Sequence, residues 1–210
     1  MTTQTELSAI EVMKARGSVK KYQRGVEIPK EDLEEILKLA AKAPSSWNLQ
    51  HWRYLVITSQ EMKEKILPIA YNQQQVVDSS ATVVILGDLE ADKSAEDVYK
   101  PALEAGHITQ QVYDTLIGQI KDAYANNPQK ARDEAILNAS LSAMQLMLAA
   151  KAKGYDTCPM GGFDREKLIQ ALNIPPRYIP VMLVVIGKAA APARPSSRFP
   201  LEKLVIRESF

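Results

Sequence analysis

The chain has 210 residues, 46% of them hydrophobic, enough to bury one sizeable core and better suited to one domain than to two. Against 26 Lys plus Arg stand 25 Asp plus Glu, a formal charge of +1 with no long block of one sign, so the electrostatic footprint of a nucleic-acid or membrane-surface protein is missing. A single cysteine, Cys158, cannot form an internal disulfide, "MTTQTELSAIEVMKARGS" lacks the continuous apolar core of a secretory signal, and apolar runs such as "VMLVVIG" fall short of the roughly 20 residues of a membrane span, so a soluble, cytoplasmic protein with small-molecule or protein partners is expected.

Helical periodicity dominates the chain. Ser8 and Glu11 have capping-box spacing, which predicts a short helix with Leu7, Ile10, Val12 and Met13 on its apolar side, ending near Arg16 and Gly17. A second helix is expected from Pro29, with Glu31 and Asp32 at its positive end and Leu33, Ile36, Leu37 and Ala40 repeating until Pro44. "WRYLVITS" and "ATVVILGD" read as buried strands, with "EMKEKILPIA" between them as a helix cut short by Pro68. Residues 95–126 read as a poorly amphipathic helical cover, with Gly106 and Gly118 as weak points. "KARDEAILNASLSAMQLMLAAKAKGY" is apolar on nearly every face, as a central buried helix would be, and Gly154 caps it. "YIPVMLVVIGK" supplies another buried strand, so α+β is the expected class, a sheet flanked by helices. The arm over 192–210 is rich in proline and serine before Leu204, Val205 and Ile206; pairing with another subunit's sheet and closing the chain's own sheet share this signature, and the pattern leaves both open.

Three clusters carry chemistry. In "KARGSVKKY" an extended backbone would turn Arg16, Ser18 and Lys20 to one side and Val19 inward, which suits a terminal phosphate monoester, although Lys and Arg after a helix also occur as plain solvated surface. In "APSSWNLQHW" Ser45, Ser46, Asn48 and Gln50 offer groups that both donate and accept, the inventory for a planar heterocycle; the serines serve equally as turn residues, and Trp52 reads as a core anchor. In "DTCPMGGFD" Gly161 and Gly162 would let backbone N–H groups approach a flat ligand. Neither G-x-G-x-x-G nor a Walker Gly-Lys-Ser/Thr pattern occurs. Metal binding and a catalytic triad lack their residues: His51 and His107 read as ordinary surface or turn positions and Cys158 as a small buried hydrophobe.

With "RGSVKKY", "APSSWNLQ", "YNQQQ", "GYDTCPMGGFD" and "SSRFP" in this order, the chain resembles the nitroreductase family of FMN-dependent NAD(P)H oxidoreductases over nearly its whole length, residues 1–210 as one domain. The resemblance implies a central, mostly antiparallel sheet in an interlocked homodimer with two flavin sites shared between subunits. It places Arg16, Ser18, Lys20 and Arg198 on the ribityl phosphate and pyrimidine edge, and Pro44, Ser45, Ser46 and Asn48 on the flavin held mainly by the other subunit. Asn72, Gln75 and Asn138 match further polar contacts. Pro159, Met160, Gly161 and Gly162 match the loop across one face of the ring, whose backbone N–H reaches the hydride-accepting nitrogen.

The chain departs from the family at Gly161, where many relatives have glutamate, at Ser196, Ser197 and Arg198, where many have Lys-x-Arg, and at His51, which replaces a common proline. The implied mechanism is ping-pong: NAD(P)H delivers a hydride and leaves, and an electrophilic acceptor such as a nitroaromatic or quinone takes its place. Lys20 and Gly162 are the electrostatic candidates at the edge that becomes anionic on reduction, and the cover around Tyr113 and Tyr124 would shape the acceptor pocket unless those tyrosines only pack between helices. Enone reduction, reductive dehalogenation and a non-catalytic FMN-binding module remain as alternatives.

Overall fold

The structure is a computed structural model describing residues 7–210; the first six residues, part of the stretch lacking a secretory signal, lie outside the described residues. Helix α1 (Ala9–Ala15) starts on the expected capping box: Ser8 Oγ accepts from the Glu11 N–H at 3.3 Å and the Glu11 carboxylate accepts from the Ser8 N–H at 2.7 Å. Pro29 is the N-cap of α2 (Lys30–Ala40), one position outside the expected first turn, and the helix ends four residues before Pro44. Strand β1 (Trp52–Ile57), α3 (Gln60–Ile66), α4 (Gln75–Asp78) and β2 (Ala81–Asp88) follow, α3 stopping two residues before Pro68. The region read as a helical cover forms α5 (Ala95–Glu104) and α6 (Gln110–Tyr124), broken near Gly106 at φ +70, whereas Gly118 lies inside α6. Helix α7 (Pro128–Ala152) is followed by Gly154 at φ +75, the left-handed conformation a helix end favours.

Two elements differ from expectation. "DTCPM", read only as part of a ligand-facing turn, forms strand β3 (Asp156–Met160), and α8 (Arg165–Leu172) follows it, capped by Asp164, which accepts from the Lys167 N–H at 3.0 Å. Pro159 hid the strand, because proline cannot donate to a ladder; it is tolerated here because β3 lies at the sheet's margin. The last strand, β4 (Tyr178–Gly187), pairs β2 on one side and β3 on the other, giving the order β1-β2-β4-β3, antiparallel throughout. The only parallel pairing among the described residues is a single bridge from Ser18 to Thr157.

Helices cover both faces of the sheet, which is why β2 is buried at all eight positions. Val83, Ile85, Val184 and Ile186 face α2 and α7, while Val84, Leu86, Leu183 and Val185 face α3, α8 and Val19. Trp52 joins the first of these cores at 4% exposure, as an anchor should. A smaller cluster packs Leu49 and Ala91 against Ile117, Ile120 and Tyr124 of α6.

The arm does not close the chain's own sheet. Residues Leu201–Lys203 form a 3-10 turn, and Leu204, Val205 and Ile206 are exposed outside any strand, so the tail's apolar side chains find no partner within one chain. Contiguous apolar runs also understated α7: at 25 residues it is long and apolar enough to cross a bilayer, but half of its most apolar window is buried within the fold.

The contact between α7 and β2 leaves no room at Gly87, where a Cβ would lie 2.8 Å from the Ala135 carbonyl oxygen. Replacing Gly87 with alanine is expected to cost about 1–3 kcal/mol in urea unfolding, the range for overpacking a core. An unchanged midpoint would mean that α7 moves freely away from the sheet.

Candidate active site

Sequence-predicted site residues fall into two groups at opposite edges of the sheet. At the β3 edge, the Val19 N–H donates to the Thr157 carbonyl at 3.0 Å, and the Gln23 N–H and Lys21 carbonyl bond Lys188 and Ala190 beyond β4. This pairing keeps the segment extended, turning Val19 into the core while Ser18 and Lys20 stay exposed and Arg16 half-buried. The alternation ends at Tyr22, which is buried against the sheet. Burial pushes the buried Cys158 thiol up, and the charges of Lys20 and Arg16 pull it down by less.

The turn after β3 joins this group. Gln73 Nε2 donates to the Gly162 carbonyl at 2.7 Å and to the Ala70 carbonyl at 3.1 Å. Gln75, buried, donates to Gln73 Oε1 at 3.2 Å and approaches Met160 Sδ at 3.7 Å. Asn72 is exposed at φ +55, next to Tyr71 at φ +54. Pro159 is half-buried and Met160 buried, whereas Gly161 and Gly162 are exposed and their N–H groups donate to no group among the described residues. A Cβ on Gly161 would enter open space, so packing does not demand glycine there.

The second group sits where the chain enters β1. Trp47, Asn48 and Gln50 all have positive φ, near +50, in a tight turn closed by the Gln50 N–H donating to Ser45 Oγ at 3.0 Å. Helix α7 clamps this turn. The Ser46 N–H donates to Asn138 Oδ1 at 2.9 Å, Ser46 Oγ donates to the Glu134 carboxylate, and Asn138 Nδ2 donates to Glu134 Oε2 at 2.9 Å. Burial pushes the Glu134 carboxyl up, but hydrogen bonds from Ser46, Asn138 and Lys130 outweigh it and hold the group below the usual carboxylate range. Lys130 Nζ also stands 5.4 Å over the Trp47 ring, and Tyr99 Oη donates to the Trp47 carbonyl at 3.0 Å. Asn138 is thus fully engaged in holding Ser46, while Pro44 and Asn48 remain exposed.

β1 and β3 are separated by two strands, about 14 Å at ordinary strand spacing, so one chain does not bring the two groups together. Arg198 joins neither: its guanidinium folds back to Ser196 Oγ and the Ser197 carbonyl, each at 2.9 Å. Among the described residues no cluster of histidine, cysteine and carboxylate side chains could hold a metal.

Sequence reasoning missed Glu134, Lys130, Gln73 and the role of His51. Lys130, Glu134 and Asn138 are spaced by four, the signal of one helix face, but nothing local says what that face meets. His51 corrects an expectation: it is wholly buried, not a surface residue, with Nε2 2.7 Å from Tyr124 Oη and Nδ1 unpartnered. Its position between the 44–50 turn and α6 requires this burial. Tyr124 packs there against His51, tying α6 to the turn.

Burial lowers the His51 pKa from its ordinary value, so the folded protein favours neutral imidazole. Below about pH 6.5 the unfolded chain takes up a proton that the folded chain resists, and stability falls with a slope of at most about 1.4 kcal/mol per pH unit. Denaturant unfolding between pH 7.5 and 5 is expected to show this loss in the parent chain and a flatter dependence in His51→Gln. Parallel pH dependences would remove His51 as its source.

The comparisons fit this architecture. The Nitroreductase family profile matches residues 13–188. YodC of Bacillus subtilis (strain 168), whose name provisionally classes it as an NAD(P)H nitroreductase, is 55% identical over 197 residues, covering 94% of this chain and 97% of its own. The CLA biosynthesis enone reductase of Lactiplantibacillus plantarum is 36% identical, covering 90% of this chain and 89% of its own. A crystal structure from Exiguobacterium sibiricum 255-15, solved in complex with FMN, superposes with a TM-score of 0.91 at 40% identity and covers 99% of this chain and 100% of that one. A fold shared over nearly the whole length and a family profile across most of it lead to one conclusion: the chain belongs to the nitroreductase family.

Proposed function

We propose that this chain is an FMN-dependent NAD(P)H oxidoreductase that passes hydride in ping-pong fashion to electrophilic acceptors such as nitroaromatics or quinones. The observation that carries it is the donor set along β3: Arg16 and Lys20, in no ion pair among the described residues, flank the segment that pairs with Thr157, and the Gly161 and Gly162 N–H groups, which donate to no group among the described residues, follow the strand's end, in a chain 40% identical to a protein solved with FMN. This set fits an anionic, flat ligand. Bound FMN supplies a ring that takes a hydride from NAD(P)H and returns it to an acceptor.

The chain's residues do the holding. Arg16 and Ser18 bind the phosphate, and Lys20 places a positive charge at the pyrimidine edge, where negative charge develops on reduction. Gln73 fixes the Gly162 carbonyl and so anchors the turn that carries the two glycines. Gln75 supports Met160 beneath that turn. Gly161 leaves the ring-facing side open, since the side chain many relatives carry there is absent.

Ser45, Ser46 and Asn48 complete the site from a second copy of the chain. Support for this homodimer is the separation of the two groups within one chain and its unburied apolar surface. Leu137, Leu141 and Met144 lie exposed at helical spacing on α7, Ile10 and Met13 on α1, and Phe199, Leu201, Leu204 and Ile206 on the arm. A second copy would cover these surfaces, with the arm reaching across the partner. Helices α5 and α6 border the acceptor pocket, and the balanced charge fits a cytoplasmic home. Enone reduction is the second reading, favoured by the 36% identity to an enone reductase over most of both chains.

An anaerobic visible spectrum tests the assignment. Flavin bands that bleach on adding NADH or NADPH and return with a nitroaromatic, quinone or enone are expected. A purified chain that neither carries nor takes up FMN would overturn it, and one that holds FMN without oxidising NAD(P)H would be a binding module. Removing residues 201–210 is expected to shift sedimentation toward monomer. A profile identical to the intact chain's would take the arm out of the interface.

A further inference from the structure

The two adjacent serines of the turn before β1 are wired in opposite senses. Ser45 Oγ accepts from the Gln50 N–H at 3.0 Å and donates to no group among the described residues, so its own proton stays available. Ser46 Oγ does the reverse, giving its proton to Glu134 Oε2. The carboxylate fixes the direction of that bond. Glu134 Oε2 also accepts from Asn138 Nδ2 at 2.9 Å and Oε1 from Lys130 Nζ at 3.3 Å, and three donors around a side chain only 15% exposed are the surroundings of an ionised acid with no proton to offer. Asn138 Nδ2 lies 3.5 Å from Ser46 Oγ, at the limit of a hydrogen bond, and makes its shorter bonds to the Glu134 carbonyl and carboxylate. Ser46 Oγ is left with lone pairs to offer and no proton.

Holding the turn does not require this. The Ser46 N–H already ties the backbone to α7 through Asn138 Oδ1 at 2.9 Å, whereas a half-buried carboxylate costs desolvation. What the carboxylate adds is a hydroxyl that cannot rotate. We infer that Glu134 is a positioning residue that makes Ser46 an obligate hydrogen-bond acceptor beside the donor Ser45, so that the flavin group seated at Ser46 is itself a donor, the ring N3–H or a ribityl hydroxyl. The inference rests on the FMN reading above, in which a second copy contributes this turn. The carbonyls and the unprotonated ring nitrogens of oxidised flavin are acceptors, and any of these at Ser46 would set lone pair against lone pair. A freely rotating serine would accept either kind of group; one bonded to Glu134 discriminates between them, because the wrong partner leaves two acceptors unsatisfied.

The test pairs changes in the protein with changes in the ligand, using full-length protein freed of flavin and quenching of flavin fluorescence. FMN is compared with 3-methyl-FMN, which lacks the ring N–H, and with FMN analogues lacking one ribityl hydroxyl. One of these analogues is expected to bind the parent about fivefold more weakly than FMN, as loss of one neutral hydrogen bond would. That penalty should vanish in Ser46→Ala and shrink in Glu134→Gln, whose amide can turn its N–H toward Ser46 and release the hydroxyl. Coupling to the methyl group assigns the ring N–H as the donor, and coupling to a missing hydroxyl assigns the ribityl chain. Both substitutions stay close to the native volume, and thermal unfolding checks that they fold. A turn that was merely loosened would weaken every ligand by the same factor. Penalties that stand unchanged in Ser46→Ala or in Glu134→Gln would therefore overturn the inference while leaving the FMN assignment intact. A parent chain that binds no FMN would instead overturn the assignment itself.

Discussion

Helix α7 is apolar round most of its circumference, and burying it is the demand from which the other arrangements follow. One side lies on the sheet, where Ala139, Ala143, Leu146 and Ala150 share a core with β2 and β4, and Ala135 comes close enough that position 87 has room only for glycine. The polar residues that interrupt this surface are not exposed to water but bonded to the segments beside it. Ser142 donates to the Ala40 carbonyl at the end of α2 and meets Tyr54 Oη from β1, while Asn138 holds Ser46. Thus the helix that organises the core also fixes the turn carrying half the candidate site. Leaving one such donor buried without its partner costs about 1–3 kcal/mol, enough to displace a surface turn whose own contacts are few.

Strand order supplies the second constraint. Because β2 and β4 occupy the middle, residues flanking β1 and β3 lie at opposite margins, however near they come in sequence patterns. Each margin is handled differently. The β3 side is partly covered by the 17–23 segment, whose pairing aligns Ser18 and Lys20, and the β1 side lies open within one chain. An open edge is a surface that seeks a partner, and so are the exposed apolar residues on α1, α7 and the arm. The same geometry that separates the half-sites therefore provides the surface that can unite them between copies.

Much of this was legible in the sequence where the determinants are local. The α1 capping box, the fully apolar β2 and the left-handed Gly154 after α7 each depend on residues a few positions apart. The failures are long-range. Asp156–Met160 has little strand character alone and becomes a strand because β4 offers it a ladder. His51 looks like an ordinary turn residue until Tyr124, 73 positions later, takes its Nε2. The clamp from Glu134 to Ser46 spans 88 positions and has no sequence mark beyond a polar face on an apolar helix. As for the arm, its apolar triplet was visible, but what an exposed triplet meets is decided outside the single chain.

Charge placement separates structural from ligand-directed residues without reference to any motif. Asp88, 1% exposed, is met by the Arg177 fork at 2.7 and 2.8 Å and lies 3.5 Å from Arg53, so its desolvation is offset by cations already in place. Glu134 is treated likewise, with three donors at its carboxylate. At these two carboxylates the buried charge finds its cationic partner within the chain. At the β3 edge it does the reverse, aligning Arg16 and Lys20 on one face and bringing the arm's Arg194 near without an acid among them, although the chain has almost as many acids as bases to spend. Such an arrangement lowers the stability of the isolated chain slightly, because exposed like charges repel through a short, screened distance. The turn that follows β3 carries Gly161 and Gly162, whose N–H groups donate to no group among the described residues.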